Sequence, residues 1–333
     1  MKSEVGVLAD DAFSLQTHND NVFVKSHMLG VSVCIPAYNE CDNLKHLIPF
    51  IARQNFDKYL LKEILIDISG STDCSNKLLS SLSKEDARVR VIDNHTRDGL
   101  INSLRRLIST ATGDIIIRID ADITMKHDTI TSLLREMSET KIGIVGPRIV
   151  PKFDNKNFVN SLSRVSYGIH HLLSIRHPKT TNLQVFRNID LTIPEDAEVE
   201  DILIQSIIES KGYRASYIPS VIVNISPPYK LIDYMKQSIR NIRIQRWFKL
   251  YSGKNSPTQS IPMVGRAILD FLKENSTKLI IIELSTFILL EGLCLFYVHI
   301  IEKIMGQKEY QPWNHITGTK RTYWEKEENT ENE

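Results

Sequence analysis

Cysteine is scarce in this chain, and the few present follow no metal-binding spacing. Cys34, Cys41, Cys74 and Cys294 are spread over 333 residues with no C-x-x-C pair. This excludes a zinc ribbon or a dithiol redox centre, and the four are read as free thiols in a reducing compartment. Ten histidines include no H-E-x-x-H and no finger spacing; His170-His171 reads as a packed or solvated pair on a helix. An excess of one charge is missing too. The chain has 41 Lys and Arg against 40 Asp and Glu, a formal net charge of +1. Basic residues cluster only briefly, at 236–249 and 318–321, so no nucleic-acid partner is expected. No charged-then-apolar leader opens the sequence; residues 1–28 are polar, without a period, and are expected to form a loose arm. Finally, no G-x-G-x-x-G follows the first apolar run, where the sequence reads PAYNE. That excludes a dinucleotide-binding oxidoreductase.

What is present fits one large α/β domain with appendages. From residue 31 apolar runs alternate with helical spacing. VSVCIPAYNE reads as a strand entering a loop, and Leu44, Leu47, Ile48 and Ile51 then recur at helical intervals. KEILIDIS is a second strand; GSTD turns into a second helix that Ser71 or Asp73 can cap. VRVIDN is a third strand, LINSLRRLISTAT a third helix stopped by Gly113, and GDIIIRIDADI a fourth strand. This order predicts a mostly parallel sheet with helices on both faces. Ligands of such sheets bind beyond the carboxyl ends of the strands. The polar clusters 36–40, 67–73, 97–99 and 120–122 all fall at such ends. Beyond residue 145, IGIVGPRIV reads as a strand, EDILIQSIIES as a helix and SYIPSVIVNI as a strand. The stretch 152–190 has no clear pattern.

Asp120 and Asp122 are the sharpest chemical signal. If GDIIIRIDADI is one strand, alternate residues share a face and the two carboxylates project together. Two hard oxygen ligands suit Mg²⁺ or Mn²⁺, an ion that keeps waters and bridges to substrate phosphates. The plainer alternative is a strand-end turn whose acids cap a helix.

VSVCIPAYNE, the GSTD turn, NHTRDGLINSLRRLISTATGDIIIRIDADI and EDILIQ, in that order, resemble family 2 glycosyltransferases over roughly residues 30–250. The resemblance implies a GT-A fold, a Rossmann-like sheet, and transfer of a sugar from a nucleotide diphosphate sugar with inversion at the anomeric carbon. It implies that Pro36, Ala37, Tyr38 and Glu40 hold the nucleoside, with Asp67 and Ser69 at the second strand end. Arg97 and Gly99 would approach the donor phosphates. Asp120 and Asp122 would hold a divalent cation, Mg²⁺ or Mn²⁺, that neutralises the leaving diphosphate. Glu200 and Asp201 match the acidic pair at a helix start: Asp201 is expected to be the base that deprotonates the acceptor hydroxyl, with Glu200, Glu198 or Glu195 as alternates. The plain reading of these acids is complementing a helix dipole.

Two departures stand out. The family's base-reading acid precedes the glycine of the GSTD-like turn by two residues; here that position is Ile68, and the acid, Asp67, lies one earlier. A one-residue slip changes the face of a strand. Processive relatives carry Gln-x-x-Arg-Trp; here Arg246 and Trp247 are present, but Arg243 stands where the glutamine belongs. Arg246 would meet the diphosphate and Trp247 the acceptor, without a polymer-extruding synthase being implied.

The C-terminal third is expected to sit on a membrane. Residues 230–250 form a basic amphipathic helix suited to an anionic lipid surface. Residues 279–301 are long and apolar enough to span a bilayer, yet hold Glu283 and Glu291, eight apart and on one face. A span and an in-plane or core helix both remain open. The expected division is an arm at 1–29, a GT-A domain at 30–228, interfacial helices at 229–275, a transmembrane or membrane-associated helix at 276–304 and an acidic tail at 305–333. The expected activity is that of a membrane-associated, cytosol-facing hexosyltransferase acting on a lipid-linked or glycan acceptor. The alternatives are a polyprenyl-phosphate sugar synthase and a non-catalytic nucleotide- or glycan-binding relative.

Overall fold

The computed structural model describes residues 28–305 apart from 93–94, 154–156, 196 and 198. The expected arm up to residue 27, the acidic tail from 306 and Glu198 lie outside the described residues. β1 (Gly30–Pro36), β2 (Leu60–Asp67), β3 (Val89–Ile92) and β4 (Ile115–Ile119) form the parallel half of the sheet, in the order β3-β2-β1-β4. Every residue of β1 and β4 is buried, as in strands covered on both faces. α1 (Cys41–Ala52) and α2 (Ser75–Glu85) cover one face with Leu44, Leu47, Ile48, Ile51 and Leu79. α3 (Leu100–Thr110) covers the other, packing Leu104 and Leu107 on Cys34, Leu65 and Ile116. Up to here the alternation read from the sequence is the structure.

The second half is mixed. β7 (Leu183–Arg187) runs antiparallel to β4, and β6 (Ile142–Pro151) antiparallel to β7. β8 (Arg214–Ile225) is parallel to β6, and the short β5 (Ile123–Met125) pairs antiparallel at the edge. The eight-stranded order is β3-β2-β1-β4-β7-β6-β8-β5. β7 and the long helix α5 (Phe158–Arg176) both come from the stretch that has no clear sequence pattern. α4 (Thr129–Glu136) and α6 (Asp201–Ser210) complete the helical layers. α7 (Leu231–Ser252), α8 (Ile261–Glu274) and α9 (Lys278–Met305) follow the last strand. α5 packs Val165, Ile169 and Leu173 against Ala267 and Phe271 of α8 and Leu284 of α9. Gly168 permits that approach: a Cβ there would lie 2.5 Å from the Phe271 ring.

Two expectations are corrected. GDIIIRIDADI is not one strand. β4 ends at Ile119, Asp120 to Asp122 form a connection, and Ile123 opens β5, which pairs with a different strand. The carboxylates therefore share a neighbourhood through a turn, not through strand alternation. Nor are all four cysteines free. Cys41 opens α1, Cys74 sits at the N-cap of α2, and the two are disulfide-bonded with Cα atoms 5.5 Å apart. Parallel pairing of β1 with β2 brings both helix starts to one sheet edge, which a separation of 33 residues in sequence conceals. Cys34 and Cys294 are buried free thiols.

Candidate active site

The loops after β1, β2 and β3 meet at the carboxyl edge of the sheet. Asn39 takes a left-handed conformation (φ 53°), and its side chain accepts from the Thr72 backbone N–H at 2.7 Å while its own N–H donates to Ser71 Oγ at 3.0 Å. Asp73 serves both neighbouring helix starts, accepting from the N–H groups of Cys41 and Ser75 at 2.9 and 3.0 Å. With the disulfide, these bonds fasten the first loop to the second. Arg97 joins them from the third: its guanidinium lies 4.2 Å from the centroid of the Tyr38 ring. Gly70, at φ 63°, lets the Arg97 backbone pass, since a Cβ would lie 2.8 Å from Arg97 N.

Asp67 is fully buried and is not open to that loop cluster. From Ile64 onward β2 alternates, so Ile64, Ile66 and Ile68 enter the core beneath α1 and α2. Asp67 falls on the opposite face, under α3. There Arg106 donates to it at 2.7 Å and to Ser69 Oγ at 2.6 Å, while also pairing with Asp98 at 2.5 Å. The one-residue slip thus leaves Ile68 in the core at the position of the family's base-reading acid and sets Asp67 in an ion-pair network on the other face. Pro36 and Ala37 are buried at the strand end, with Ala37 N–H bonded to Asp67 O.

The second focus is a carboxylate cluster organised by Arg118. This arginine sits inside β4 with a side chain only 2% exposed, and one terminal nitrogen meets Asp120 at 2.7 Å and Glu200 at 3.1 Å. Burial opposes its charge, but Asp120, Glu200, Asp201 and Asp122 more than offset that and raise its proton affinity. Asn182 fixes Asp120 from β7's approach, donating its amide to the carboxylate at 3.0 Å and accepting the Asp120 N–H at its carbonyl. Burial, together with repulsion from Asp201, raises the Asp120 carboxyl despite Arg118 and Asn182. Burial and the neighbouring Asp201 and Asp120 likewise push Glu200 up to about 7, against the pull of Arg118. Glu200 is the N-cap of α6 and Asp201 its first residue; Asp201 accepts the Ile202 N–H at 2.7 Å. Three further groups flank the acids. Arg240 of α7 acts on Asp120, Tyr167 of α5 feels Asp122 and Asp120, and burial depresses the Lys179 ammonium although Asp201 opposes it.

Comparison with known proteins places this arrangement. Residues 32–196 match the model for glycosyl transferase family 2. The chain belongs to that family. It is 30% identical over 115 residues to glycosyltransferase GlyG of Streptococcus pneumoniae, covering 34% of this chain and 37% of that protein. Against a dolichol-phosphate mannosyltransferase of Pyrococcus furiosus it is 30% identical over 199 residues, 57% of this chain and 55% of the relative. The chain thus spans little more than half, or less, of these relatives. Among solved structures it resembles mannosyltransferase PcManGT from Pyrobaculum calidifontis in complex with GDP-Man and Mn²⁺, with a TM-score of 0.56 at 17% identity over 85% of this chain and 89% of that one. The fold is GT-A.

The fold brings Tyr38, Glu40, Arg97, Gly99, Asp120, Asp122, Glu200 and Asp201 to loops and helix starts along one edge of the sheet, the last two just beyond the matched residues. Trp247 stacks on Tyr251 at 5.0 Å and packs on the core beneath α3 and α6, and Arg240 of the same helix acts on Asp120. Sequence reasoning misses Arg118, Asn182, Tyr167, Lys179 and Arg240 as site residues. The one available signal is Arg118 itself, a lone charge inside an isoleucine run. The donor set suits a hard divalent cation, because the half-buried carboxylates Asp120, Asp122, Glu200 and Asp201 offer hard oxygen ligands around the buried Arg118. Among the described residues no three His, Cys, Asp or Glu side chains converge to hold a metal by themselves. Two carboxylates would therefore need phosphate oxygens and water to complete a shell.

Proposed function

We propose that this protein is an inverting hexosyltransferase that uses a nucleotide diphosphate sugar and a divalent cation and works at a lipid surface facing the cytosol. The observation that carries the reading is the meeting of Asp120, Asp122, Glu200 and Asp201 around one buried arginine, beside the loops of Tyr38 and Arg97. Tyr38 and Glu40 would hold the nucleoside, and Arg97 the diphosphate. Asp120 and Asp122 would bind Mg²⁺ or Mn²⁺, which supplies charge neutralisation of the departing diphosphate when bound. Asp201 takes the acceptor proton, and Glu200, held by Arg118, fixes the start of α6 on which Asp201 rides. A cytosolic donor site matches a reducing compartment only if the Cys41–Cys74 pair is reduced there.

A specific observation favours a second acceptor chemistry. Lys179 and Arg240 stand beside the acids, and cations there suit an acceptor that carries phosphate, as do the dolichol-phosphate mannosyltransferases among the relatives. A phosphate oxygen is already ionised and needs no base, so Asp201 would then position the acceptor.

Calorimetric titration with UDP, GDP and their sugar conjugates, with and without Mn²⁺, tests the donor site. One tight partner whose binding is lost with EDTA is expected; no binding of any by folded protein would leave a non-catalytic relative. Asp201→Asn should keep nucleotide binding and lower kcat on a hydroxyl acceptor by at least about a hundredfold. An undiminished rate on polyprenyl phosphate would select the second chemistry.

A further inference from the structure

α9 satisfies the sequence criteria for a membrane span. Its 28 residues extend roughly 42 Å at 1.5 Å per residue, and its best window has a mean hydropathy of 2.2. Its side chains nevertheless divide into two stripes. One is docked on the protein: Leu284, Cys294 and Val298 are no more than 4% exposed. Both acids belong to it. Glu283 receives Arg164 of α5 at 2.6 Å, and Glu291 receives the hydroxyls of Tyr234 and Ser238 of α7 at 2.9 and 2.6 Å. Positions 283, 287, 291, 294 and 298 recur every three or four residues, so the seam runs through four turns. The opposite stripe, Leu279, Ile282, Leu289, Leu293 and Phe296, is at least 50% exposed at every position.

A bilayer-crossing α9 would have to break that seam or carry α5 and α7 into the hydrocarbon with it. Breaking it strands Glu283 and Glu291 in lipid at a few kcal/mol each. Carrying the helices along immerses Arg164, Arg176, Lys236 and Arg240. Lying flat against the domain incurs neither penalty.

Charge identifies what covers the outer stripe. Between residues 229 and 305 there are 11 Lys and Arg against six Asp and Glu, and two of those acids are the docked pair. Lys273, Lys278 and Lys303 are exposed around the two ends of α9. An apolar stripe bordered by cations fits an anionic lipid leaflet. A second copy of the chain would set the same cations against one another.

We propose that α9 is an in-plane anchor: its outer stripe enters the headgroup and acyl boundary of an anionic leaflet, and both ends of the helix stay on one side of the membrane. The proposal rests on the reading that the protein works at a lipid surface, and it names that surface and the chain's topology. Lys278→Cys and Lys303→Cys, made singly in the full chain, test it with a membrane-impermeant maleimide on sealed vesicles of either orientation. Both are expected to label from the same side; labelling from opposite sides overturns the proposal. A second measurement uses the purified chain carrying Ile282→Glu, Leu289→Lys and Phe296→Glu together. Flotation with phosphatidylcholine vesicles holding about a quarter phosphatidylglycerol should fall about tenfold, with nucleotide binding unchanged. Equal flotation of the unaltered chain on pure phosphatidylcholine would remove the anionic surface. A lipid-independent dimer broken by the triple variant would give the stripe to a second copy. Nucleotide binding by the same preparations reports on the transferase reading separately, so either can fail alone.

Discussion

Arg118 is a charge placed where the pattern of β4 calls for isoleucine, and it holds together acids from two distant parts of the chain. Removing it would leave Asp120 and Glu200 facing Asp201 without the guanidinium that both of them contact. Arg118→Met is therefore expected to cost about 3 kcal/mol, read from urea unfolding, and to depress turnover. Adding Glu200→Gln should recover part of the stability, because it removes one of the stranded charges. Gly70 tests the donor loops at the same scale. With φ at 63° and Arg97 N only 2.8 Å from where a methyl group would sit, Gly70→Ala must push the third loop away from the first. The expected result is nucleotide binding weakened about tenfold, read by calorimetry; unchanged affinity would separate Arg97 from the donor site. Sequence pattern identifies the acids of this site but not Arg118's role, because a strand that is apolar on both faces gives no hint of which residue answers a charge arriving from residue 200.

At the scale of elements, the starts of α1 and α2 act as one unit through Asp73 and the Cys41–Cys74 bond. Cys41→Ser with Cys74→Ser is expected to lose about 2–4 kcal/mol relative to the oxidised protein, the usual range for a native disulfide. Thiol titration of denatured, unreduced protein should find Cys34 and Cys294 only. α5 carries a different sensitivity. Burial, with Lys179 and His171 nearby, depresses His170 to about 3, and burial with Arg148 nearby depresses His171 to about 4. Both are neutral in the folded protein while the unfolded chain takes up protons near 6.5. Their stabilisation is thus fully present above about pH 6.5 and is lost as pH falls toward 4 and then 3. The urea midpoint should drop over that window, and His170→Phe should flatten the dependence. The alternation of the first four strands and three helices is legible in the sequence. α5 and β7 are not: the buried stripe of α5 (Val159, Leu162, Val165, Ile169, Leu172) is mixed with buried Asn160, Ser163 and Ser174, and β7 is a five-residue strand whose partners β4 and β6 lie elsewhere in the sequence.

For the molecule as a whole, the sheet edge, the acids and the C-terminal helices form one continuous arrangement. α7 contributes Arg240 beside Asp120, and the Tyr234 and Ser238 that hold α9 lie on the same helix. Loosening α9 should therefore reach the site. Glu291→Leu removes the acceptor of both hydroxyls and is expected to lower kcat more than it raises the KM for the donor, measured on detergent-free lipid acceptor. An effect on donor KM alone would disconnect the anchor from the acceptor side.

The sequence by itself determined the class of fold, the family, the acids and the order of the loops that carry them, because each rests on local periodicity or on short contiguous motifs. The tertiary structure decided what depends on distant partners. It broke RIDADI into a turn by giving β4 and β5 different neighbours. It joined Cys41 to Cys74 across parallel strands and turned Asp67 toward Arg106. It also gave the two glutamates of α9 their hydrogen-bonding partners on α5 and α7, and so set which face of that helix is left for lipid. Periodicity records that a face is apolar; only packing tells which of two apolar faces is already covered.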